Sequence, residues 1–277
     1  MTLAAGLRAP AEAIRRARVA GHLGEFLQGR LGPDGPLALV TLPCPGLGAE
    51  AIRAPGPLAL DQPGAQMLTL PALCDLLASG GAAPDGRFRL TLDLPPGGGA
   101  GASTAARVAL LHAAGVTDPA TVARACLASE GASDPLMFDR PERLLWASRE
   151  GRVLAELPPL PPMELVGGFF GPARRTDPAD LAFPDISDLL EGWGAADLAG
   201  VARRASLSAA RCLQLRGPAE DPTAALAHGL GALGWAIGHT GPARALIFPP
   251  GAVPRGAAGA LRAAGFSRIT RFRIGGA

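Results

Sequence analysis

Lysine and asparagine are both absent from this chain, and each absence excludes a set of functions. Without a lysine ε-amino group, the sequence cannot form a Walker P-loop, a protein-kinase ATP site, a pyridoxal Schiff base or a lysine aldolase site. Without asparagine, it has neither an N-glycosylation site nor the asparagine of a kinase catalytic loop. All 26 basic residues are therefore arginines. We attribute this usage, which is also rich in Ala, Gly and Pro, to coding bias.

Cysteine is scarce, and its spacing does not suggest a metal site. The four cysteines, Cys44, Cys74, Cys126 and Cys212, lie far apart without a CxxC pair. This pattern argues for a reducing compartment and against a structural zinc site. A single cysteine could serve as a nucleophile, and the alternative for each is a small buried apolar residue.

The charge and hydrophobicity of the chain indicate a globular cytoplasmic protein. Its 277 residues, 48% of them hydrophobic, are enough for one large domain or two modest ones. The net charge of +2 is small and the arginines are dispersed, so we expect neither nucleic acid nor an anionic membrane as a partner. The N-terminus lacks the long apolar core of a secretory signal. The longest uncharged stretch, residues 222–243, contains five glycines and is a poor membrane span.

A glycine-rich stretch at residues 94–106 reads Leu-Pro-Pro-Gly-Gly-Gly-Ala-Gly-Ala-Ser-Thr-Ala-Ala. It follows an alternating segment at residues 87–94 and precedes a helical pattern, so the glycines lie at a strand-to-helix junction. Glycine permits positive φ and close approach of a ligand to the backbone, and the first N–H groups of a helix favour an anion such as a polyphosphate. The alternative is an ordinary glycine-rich turn with a helix cap at Ser103 or Thr104.

Periodicity and turn residues predict a mixed α and β chain. A proline cluster at residues 158–162 is the predicted domain boundary. The predicted strands are residues 19–29, 37–42, 87–94, 144–147, 151–157, 164–170 and 267–274, with a further strand that follows a small-residue turn within residues 237–248. The predicted helices are residues 71–78, a segment from the glycine loop to about residue 115, and residues 118–129 (with Asp118 as N-cap), 196–215, 223–233 and 256–264.

Polar residues at two other places are candidates for a site. Glu25 and Gln28 lie among small and apolar neighbours, where they could bind the polar head of a small substrate, although Glu25 could equally be a solvated turn residue. His22 precedes Glu25 by three residues, but no second ligand cluster accompanies it in the sequence, which argues against a metal role. Glu130 and Asp134 lie in a turn flanked by apolar residues, and Asp134 before Pro135 is also a common turn pair.

Taken together, these stretches resemble the GHMP kinase family. Residues 24–29 (Gly-Glu-Phe-Leu-Gln-Gly), 95–105 and 238–241 (Gly-His-Thr-Gly) occur in the order of its substrate segment, phosphate loop and late glycine turn. Four stretches are similar to the branch containing L-threonine kinase of cobalamin synthesis and propanediol utilisation. They are residues 24–29, the Leu-Pro-Cys-Pro that follows them, residues 132–138 (Ala-Ser-Asp-Pro-Leu-Met-Phe) and residues 231–241, which include the last turn.

The resemblance implies a fold, a reaction and a set of site residues. The fold would be α+β, with a domain like ribosomal protein S5 domain 2 at residues 1–158 and a ferredoxin-like domain at residues 159–277. The reaction would use ATP and Mg²⁺ to phosphorylate a small-molecule hydroxyl, most specifically that of L-threonine, in a monomer or homodimer. The implied ATP-binding residues are Pro95, Gly97, Gly98, Gly99, Gly101, Ser103 and Thr104. The implied acceptor-binding residues are Gly24, Glu25, Gln28, His239, Thr240 and Gly241.

Three further roles follow from the same resemblance. Ser103 matches a serine associated with Mg²⁺, and Glu130 is a second candidate for holding the ion. Asp134 matches an acidic position and would orient or deprotonate the acceptor hydroxyl, so Asp134 and Ser103 are the expected catalytic residues.

The sequence also departs from the family pattern. Ala102 replaces the first of two serines, Gly98 stands where the branch often has lysine, and Ala106 where it often has aspartate. Two alternatives therefore stay open beside threonine kinase: a kinase for another small alcohol or amino acid such as homoserine, and a nucleotide- or metabolite-binding protein without turnover.

Overall fold

The computed structural model describes residues 14–218, 220–239 and 241–276, which form ten strands and seven α-helices. The strands are β1 (Arg15–Arg30), β2 (Leu37–Ala54), β3 (Ala59–Asp61), β4 (Arg87–Leu92), β5 (Leu144–Ala147), β6 (Arg152–Glu156), β7 (Met163–Phe169), β8 (Gly234–Ile237), β9 (Ala243–Phe248) and β10 (Ser267–Ile274). The helices are α1 (Leu70–Ser79), α2 (Ala102–Ala114), α3 (Pro119–Glu130), α4 (Ser187–Leu190), α5 (Leu198–Arg216), α6 (Thr223–Gly229) and α7 (Ala257–Ala263). None of these helices has the length and apolarity needed to cross a membrane.

All ten strands belong to one mixed sheet. Its main path runs β10-β7-β9-β8-β1-β2-β4-β3, with β5 beside β2 and β6 beside β5. Strands from the two ends of the chain meet between β1 and β8, where Glu25 pairs with Ile237. The side-chain amide of Gln28 donates to the carbonyl of Ile237 at 2.9 Å and reinforces this junction. Strand β7 begins just after the proline cluster, and the division into domains at residue 158 stays a prediction.

Most predicted elements are present, with differences that have local causes. Asp118 caps α3 as predicted, because its carboxylate accepts from the backbone N–H of Thr121 at 2.9 Å. Strand β2 continues well past residue 42 to Ala54 through a bulged segment opposite β1. Helix α6 ends at Gly229 rather than residue 233, since Gly231 adopts a φ of +70°. Strand β8 then begins at Gly234, directly after the predicted end of that helix, where the sequence predicted no strand.

Helix α2 connects the glycine loop to the core. It packs against β1 and β2, and nearly all of its residues are buried, including Ala105, Val108 and Leu111. Small alanine side chains let the helix lie close to the sheet, and Leu23 and Phe26 of β1 belong to the same apolar cluster. On the other side of the β1–β8 junction, α5 packs against both strands. Both helices therefore fix the position of β1.

A buried ion pair holds the turn that precedes β9. Arg244 Nε lies 2.8 Å from Asp221 Oδ2, and the two side chains are only 5% and 3% exposed. Arg244 also donates to the carbonyls of Gly241 and Ala243 at 2.9 and 2.8 Å. The guanidinium thus depends on Asp221 for its charge balance and in turn orders the backbone from residue 241 onward.

We expect Asp221→Ala to lower the free energy of unfolding by about 3–5 kcal/mol, because it leaves the Arg244 cation buried without a counter-charge. Chemical denaturation at neutral pH measures this change. The matched control is Asp61→Ala, which breaks the Arg89–Asp61 pair, whose side chains are 57% and 60% exposed. That variant should change stability by about 0 to 1 kcal/mol. Equal effects of the two substitutions would contradict the structural role of the buried pair.

Candidate active site

The glycine loop between β4 and α2 is held in close contact with the turn before β9. Gly99 has a φ of +65°, and a β-carbon built there would lie 2.5 Å from the backbone nitrogen of Gly241. A β-carbon at Gly241 would in turn lie 2.2 Å from the nitrogen of Gly99. No side chain fits between these backbones, so glycine is required at both positions.

Backbone hydrogen bonds fix the same loop from three distant segments of the chain. The N–H of Arg174 donates to the carbonyl of Gly97 at 2.8 Å, and the N–H of Ala243 donates to that of Gly98 at 2.9 Å. The N–H of His22 donates to the carbonyl of Ala100 at 3.1 Å. Because the carbonyls of residues 97, 98 and 100 all accept hydrogen bonds from other elements, the conformation of the loop is set before any ligand binds.

The loop and the start of α2 form one wall of a cleft of about 330 Å³. The first N–H groups of α2 lack intrahelical acceptors and carry partial positive charge. Four arginines line the same cleft: Arg107, Arg149, Arg174 and Arg175. An exposed helix N-terminus with several guanidinium groups around it is suited to a polyphosphate.

Ser103 and Glu130 meet at one end of this cleft. The Ser103 hydroxyl donates to the Glu130 carboxylate. Arg107 Nη1 lies 2.5 Å from Glu130 Oε1 and donates to Ser103 Oγ at 2.7 Å. Burial raises the pKa of the Glu130 carboxyl, against the attraction of Arg107. A hydroxyl and a carboxylate are oxygen ligands of the type that Mg²⁺ prefers, and an ion bound to both would take the place that Arg107 holds in this structure.

The bulged middle of β1 brings His22 and Glu25 together. In a regular strand, residues three apart point to opposite faces. Here the register with β2 shifts between His22 and Glu25, and Gly24 has a φ of +113°. As a result, His22 Nδ1 lies 3.2 Å from Glu25 Oε1, and both side chains are buried.

Asp134 faces the other nitrogen of the same imidazole. Its Oδ2 lies 3.5 Å from His22 Nε2, and its side chain is 20% exposed at the cleft. Its backbone N–H donates to the Thr104 hydroxyl at 3.3 Å. The preceding residue, Ser133, is held by bonds from its N–H to Ser148 O and from Trp146 Nε1 to its carbonyl. Asp134 is therefore positioned beside the start of α2.

These contacts shift the protonation of each group. Burial alone would lower the pKa of His22, but the carboxylates of Glu25 and Asp134 raise it to about 9. Burial raises the pKa of Glu25 to about 8, against the opposing charge of His22. Burial would also raise the pKa of Asp134, but contact with His22 holds it below its ordinary value. Asp134 is consequently a carboxylate at neutral pH.

A second histidine, His239, also lines the cleft. Its pKa is shifted down, whereas that of His22 is shifted up. Burial, together with the charge of Arg149, lowers the pKa of His239 to about 3, so the ring is neutral. The ring stacks on Phe183 with centroids 4.2 Å apart, and Arg216 lies 4.1 Å from the centroid of Phe183. Its two ring nitrogens are buried without a hydrogen-bond partner among the described residues. His239 can therefore donate or accept one hydrogen bond toward a ligand.

The same arrangement of sheet and helices occurs in solved kinases. Over 98% of both chains, the structure matches homoserine kinase from Cytophaga hutchinsonii with a TM-score of 0.63 and 15% identity. Mevalonate kinase from methicillin-resistant Staphylococcus aureus matches with a TM-score of 0.58 and 13% identity over 95% of this chain and 99% of that one. A 4-(cytidine 5'-diphospho)-2C-methyl-D-erythritol kinase matches with a TM-score of 0.56 and 22% identity over 96% of this chain and 99% of that one.

The chain has the GHMP kinase fold. The α+β architecture expected from the sequence is thereby confirmed. No protein-family model matches the sequence, and no curated protein does so. The likeness in structure therefore concerns the fold, and the chemistry has to be argued from the residues of the cleft.

The GHMP kinase fold brings most of the predicted site residues to one place. Pro95 lies at the start of the loop and accepts from the N–H of Gly98, and Gly241 packs against Gly99. Thr240 lies outside the described residues. The predicted residues that line the cleft are Gly97, Gly98, Gly99, Gly101, Ser103, Thr104, Glu130, Asp134 and His239. Their individual roles stay predictions.

The predicted acceptor residues of β1 lie behind the cleft wall. Gln28 is buried and donates to Ile237, and a β-carbon at Gly24 would lie 2.9 Å from the carbonyl carbon of Ile237. Glu25 has no exposed surface, and its carboxylate faces His22. Contact of these three residues with an acceptor stays a prediction, while their position at the β1–β8 junction gives each a packing role.

Among the charged and titratable residues that line the cleft, the sequence did not single out His22 or any of the four arginines, Arg107, Arg149, Arg174 and Arg175. His22 has no second ligand cluster near it in the sequence. Asp134 provides that cluster from 112 residues further along the chain. Arg107 was detectable, because it lies one helical turn after Ser103 and so shares its face of α2. Arg149 carries no sequence signal that separates it from the other arginines.

We expect the free energy of unfolding to fall as the pH rises from about 7 to 9. The pKa of Glu25 is raised to about 8 and that of His22 to about 9, so the folded state retains protons that the unfolded state has released. The stability from Glu25 is fully present below its ordinary pKa of 4.5 and is lost by about pH 8, and that from His22 is fully present below 6.5 and is lost by about pH 9. The slope should approach about 1.4 kcal/mol per pH unit for each proton.

The variant Glu25→Gln should make this fall shallower, since the amide cannot lose a proton. Urea denaturation at several pH values between 6 and 10 measures the slope. Glu156→Gln, at an exposed position of β6, is the control and should follow the unmodified protein. If Glu25→Gln also follows the unmodified protein, the buried carboxyl does not retain its proton.

Proposed function

We propose that this protein is an ATP-dependent kinase that phosphorylates the hydroxyl of a small molecule. The observation that carries the proposal is that a polyphosphate-binding wall and an ionised carboxylate line the same cleft of about 330 Å³. A cleft of this size lies within the range of small-ligand sites. The GHMP kinase fold supports the same reaction class.

The phosphate end of the cleft would bind ATP through the backbone. The N–H groups of residues 97–104 and the guanidinium groups of Arg174 and Arg175 would hold the phosphates. Ser103 and Glu130 would hold Mg²⁺ through their oxygen atoms, with the ion in place of the Arg107 guanidinium. The ion, when bound, neutralises charge on the transferred phosphoryl group. Because the backbone supplies most of these donors, alanine at position 102 is compatible with phosphate binding.

Asp134 would act on the acceptor. Its carboxylate is partly exposed to the cleft and is fixed near Thr104 at the start of α2. From there it can accept a hydrogen bond from the acceptor hydroxyl and point the oxygen toward the phosphoryl group. In phosphoryl transfer such positioning supplies much of the rate enhancement, because the transition state is loose.

The acceptor that the site supports best is an amino acid, and we propose L-threonine. Arg149 lines the cleft, and its Nε is buried without a hydrogen-bond partner among the described residues. A guanidinium next to the neutral ring of His239 suits a carboxylate. The motif at residues 24–29 supports threonine, and the product would then be O-phospho-L-threonine for cobalamin synthesis. Homoserine is the second candidate, since the matched structures include two homoserine kinases.

The alternative of a binding protein without turnover rested partly on Ala106. This residue is fully buried in α2 and does not line the cleft, so aspartate there would be an unpaired core charge in this chain. Alanine at this position is thus explained by packing and gives no reason to expect lost catalysis.

The decisive measurement is ADP release from Mg-ATP with L-threonine, L-serine, L-homoserine or no acceptor. We expect release that depends on L-threonine. Asp134→Asn should lower kcat by about 10²- to 10⁴-fold, because the amide cannot accept the hydroxyl proton or orient it as a carboxylate does. The control is Asp139→Asn, an exposed carboxylate five residues further along the same loop. ATP binding without ADP release for any acceptor would contradict kinase activity.

Arg149→Gln tests the class of acceptor. We expect the KM for the amino acid to rise by about 10- to 100-fold, with little change in the KM for ATP, because a hydrogen bond between charged groups is lost. Arg152→Gln, which removes an exposed guanidinium three residues away, is the control. A rise in the KM for ATP alone would place Arg149 at the nucleotide instead.

A further inference from the structure

Two buried titratable side chains, Glu25 and His22, form a row with the partly exposed Asp134 that leads from the interior of the sheet to the cleft. Glu25 Oε1 lies 3.2 Å from His22 Nδ1, and Asp134 Oδ2 lies 3.5 Å from His22 Nε2. The exposed fraction rises along the row, from 0% for Glu25 to 2% for His22 and 20% for Asp134. Only the last member has substantial access to a ligand.

The arrangement is suited to a protonated imidazole rather than to a metal ion. The three ligand atoms lie within 4.8 Å of one another, which by itself would permit an ion. However, the carboxylates face opposite nitrogens of one ring, and a metal ion binds only one nitrogen of an imidazole. A doubly protonated ring, in contrast, presents one N–H toward the Asp134 carboxylate and the other toward the carboxyl group of Glu25, and neither contact has hydrogen-bond geometry in this structure.

Charge balance favours the same state. A buried group of ionised residues is stable only when its charges cancel. With His22 as a cation, Asp134 as an anion and Glu25 protonated, the row is neutral. Four other titratable groups interact with this row. They are Glu130, at the end of α3 and paired with Arg107, the Cys126 thiol of the same helix, Arg149 from the loop after β5, and the neutral imidazole of His239 from the turn after β8. Thr41, opposite Glu25 on β2, adds no charge.

The ring of His22 is also held in place by the glycine loop. A β-carbon at Gly101 would lie 2.7 Å from Cδ2 of His22, so the imidazole lies directly against the start of α2. The backbone N–H of His22 donates to Ala100, the preceding loop residue. His22 therefore has a fixed position relative to the proposed phosphate site.

From this geometry we infer that His22 is a positioning residue: as an imidazolium between Glu25 and Asp134, it keeps the Asp134 carboxylate ionised and directs it toward the acceptor. The inference rests on the proposed kinase function. Glu25 supports the ring from behind and does not need to touch the acceptor. His22 itself acts through Asp134.

The kinetic test compares His22→Gln with the unmodified protein across the pH range. Without the cation, Asp134 should titrate at higher pH, so the acid limb of the kcat profile should move up by about 1 to 3 pH units. The decline of kcat near pH 9, where His22 loses its proton, should disappear, and the KM for ATP should stay the same. His228→Gln, at an exposed position of α6, should reproduce the unmodified profile. A kcat lowered by one factor at every pH would overturn the inference.

A spectroscopic test does not depend on turnover or on the folding of a variant. In the full chain labelled with ¹⁵N, the ring nitrogens of the four histidines are followed by NMR from pH 6 to 10. Two protonated nitrogens on His22 at pH 7, with loss of one near pH 9, support the inference even if no acceptor yields ADP. A single protonated nitrogen at pH 7 overturns it. A change in these signals on addition of one equivalent of Zn²⁺ also overturns it, because the row would then be a metal site.

Discussion

The close approach of two backbones, at Gly99 and Gly241, is the constraint on which the arrangement of the cleft depends. It joins the glycine loop, which follows β4, to the turn that precedes β9, so segments more than 140 residues apart form one surface. The Arg244–Asp221 pair orders the turn from one side, and the bond from His22 to Ala100 orders the loop from the other. Because the backbone N–H groups are fixed beforehand, the proposed binding of a phosphate would require little reorganisation.

His22 links this backbone constraint to the chemistry. Its backbone N–H binds the glycine loop, while its side chain faces Asp134. This one residue of β1 therefore fixes the position of the glycine loop relative to the Asp134 carboxylate. The bulge at Gly24 makes this possible, since it turns Glu25 to the same face as His22. An irregular strand in the middle of a sheet costs hydrogen bonds. Here the helices α2 and α5 pack on β1 and stabilise it.

The sequence predicted what depends on local signals and missed what depends on distant contacts. The strand-loop-helix unit and the Asp118 cap follow from glycine, proline and capping residues over a few positions. The resemblance assigned Ser103, Glu130 and Asp134 to one site, and all three line the cleft, while their roles stay predictions. His22 could not be selected, because its partner Asp134 is brought to it only by folding. The extension of β2 was hidden by Pro43, Pro45 and the glycines around them, which usually mark turns.

The absence of lysine bears on how Asp134 can act. In a chain whose only permanent cations are arginines, an imidazolium is a compact cation that fits in the interior of the sheet. A carboxylate beside such a cation has a lowered pKa and is a weak base, since its proton affinity falls with its pKa. The loose transition state of phosphoryl transfer does not require early removal of the hydroxyl proton. In the proposed reaction Asp134 would therefore be better suited to orienting the acceptor than to deprotonating it, because the same contact with His22 that would weaken it as a base would also fix its orientation.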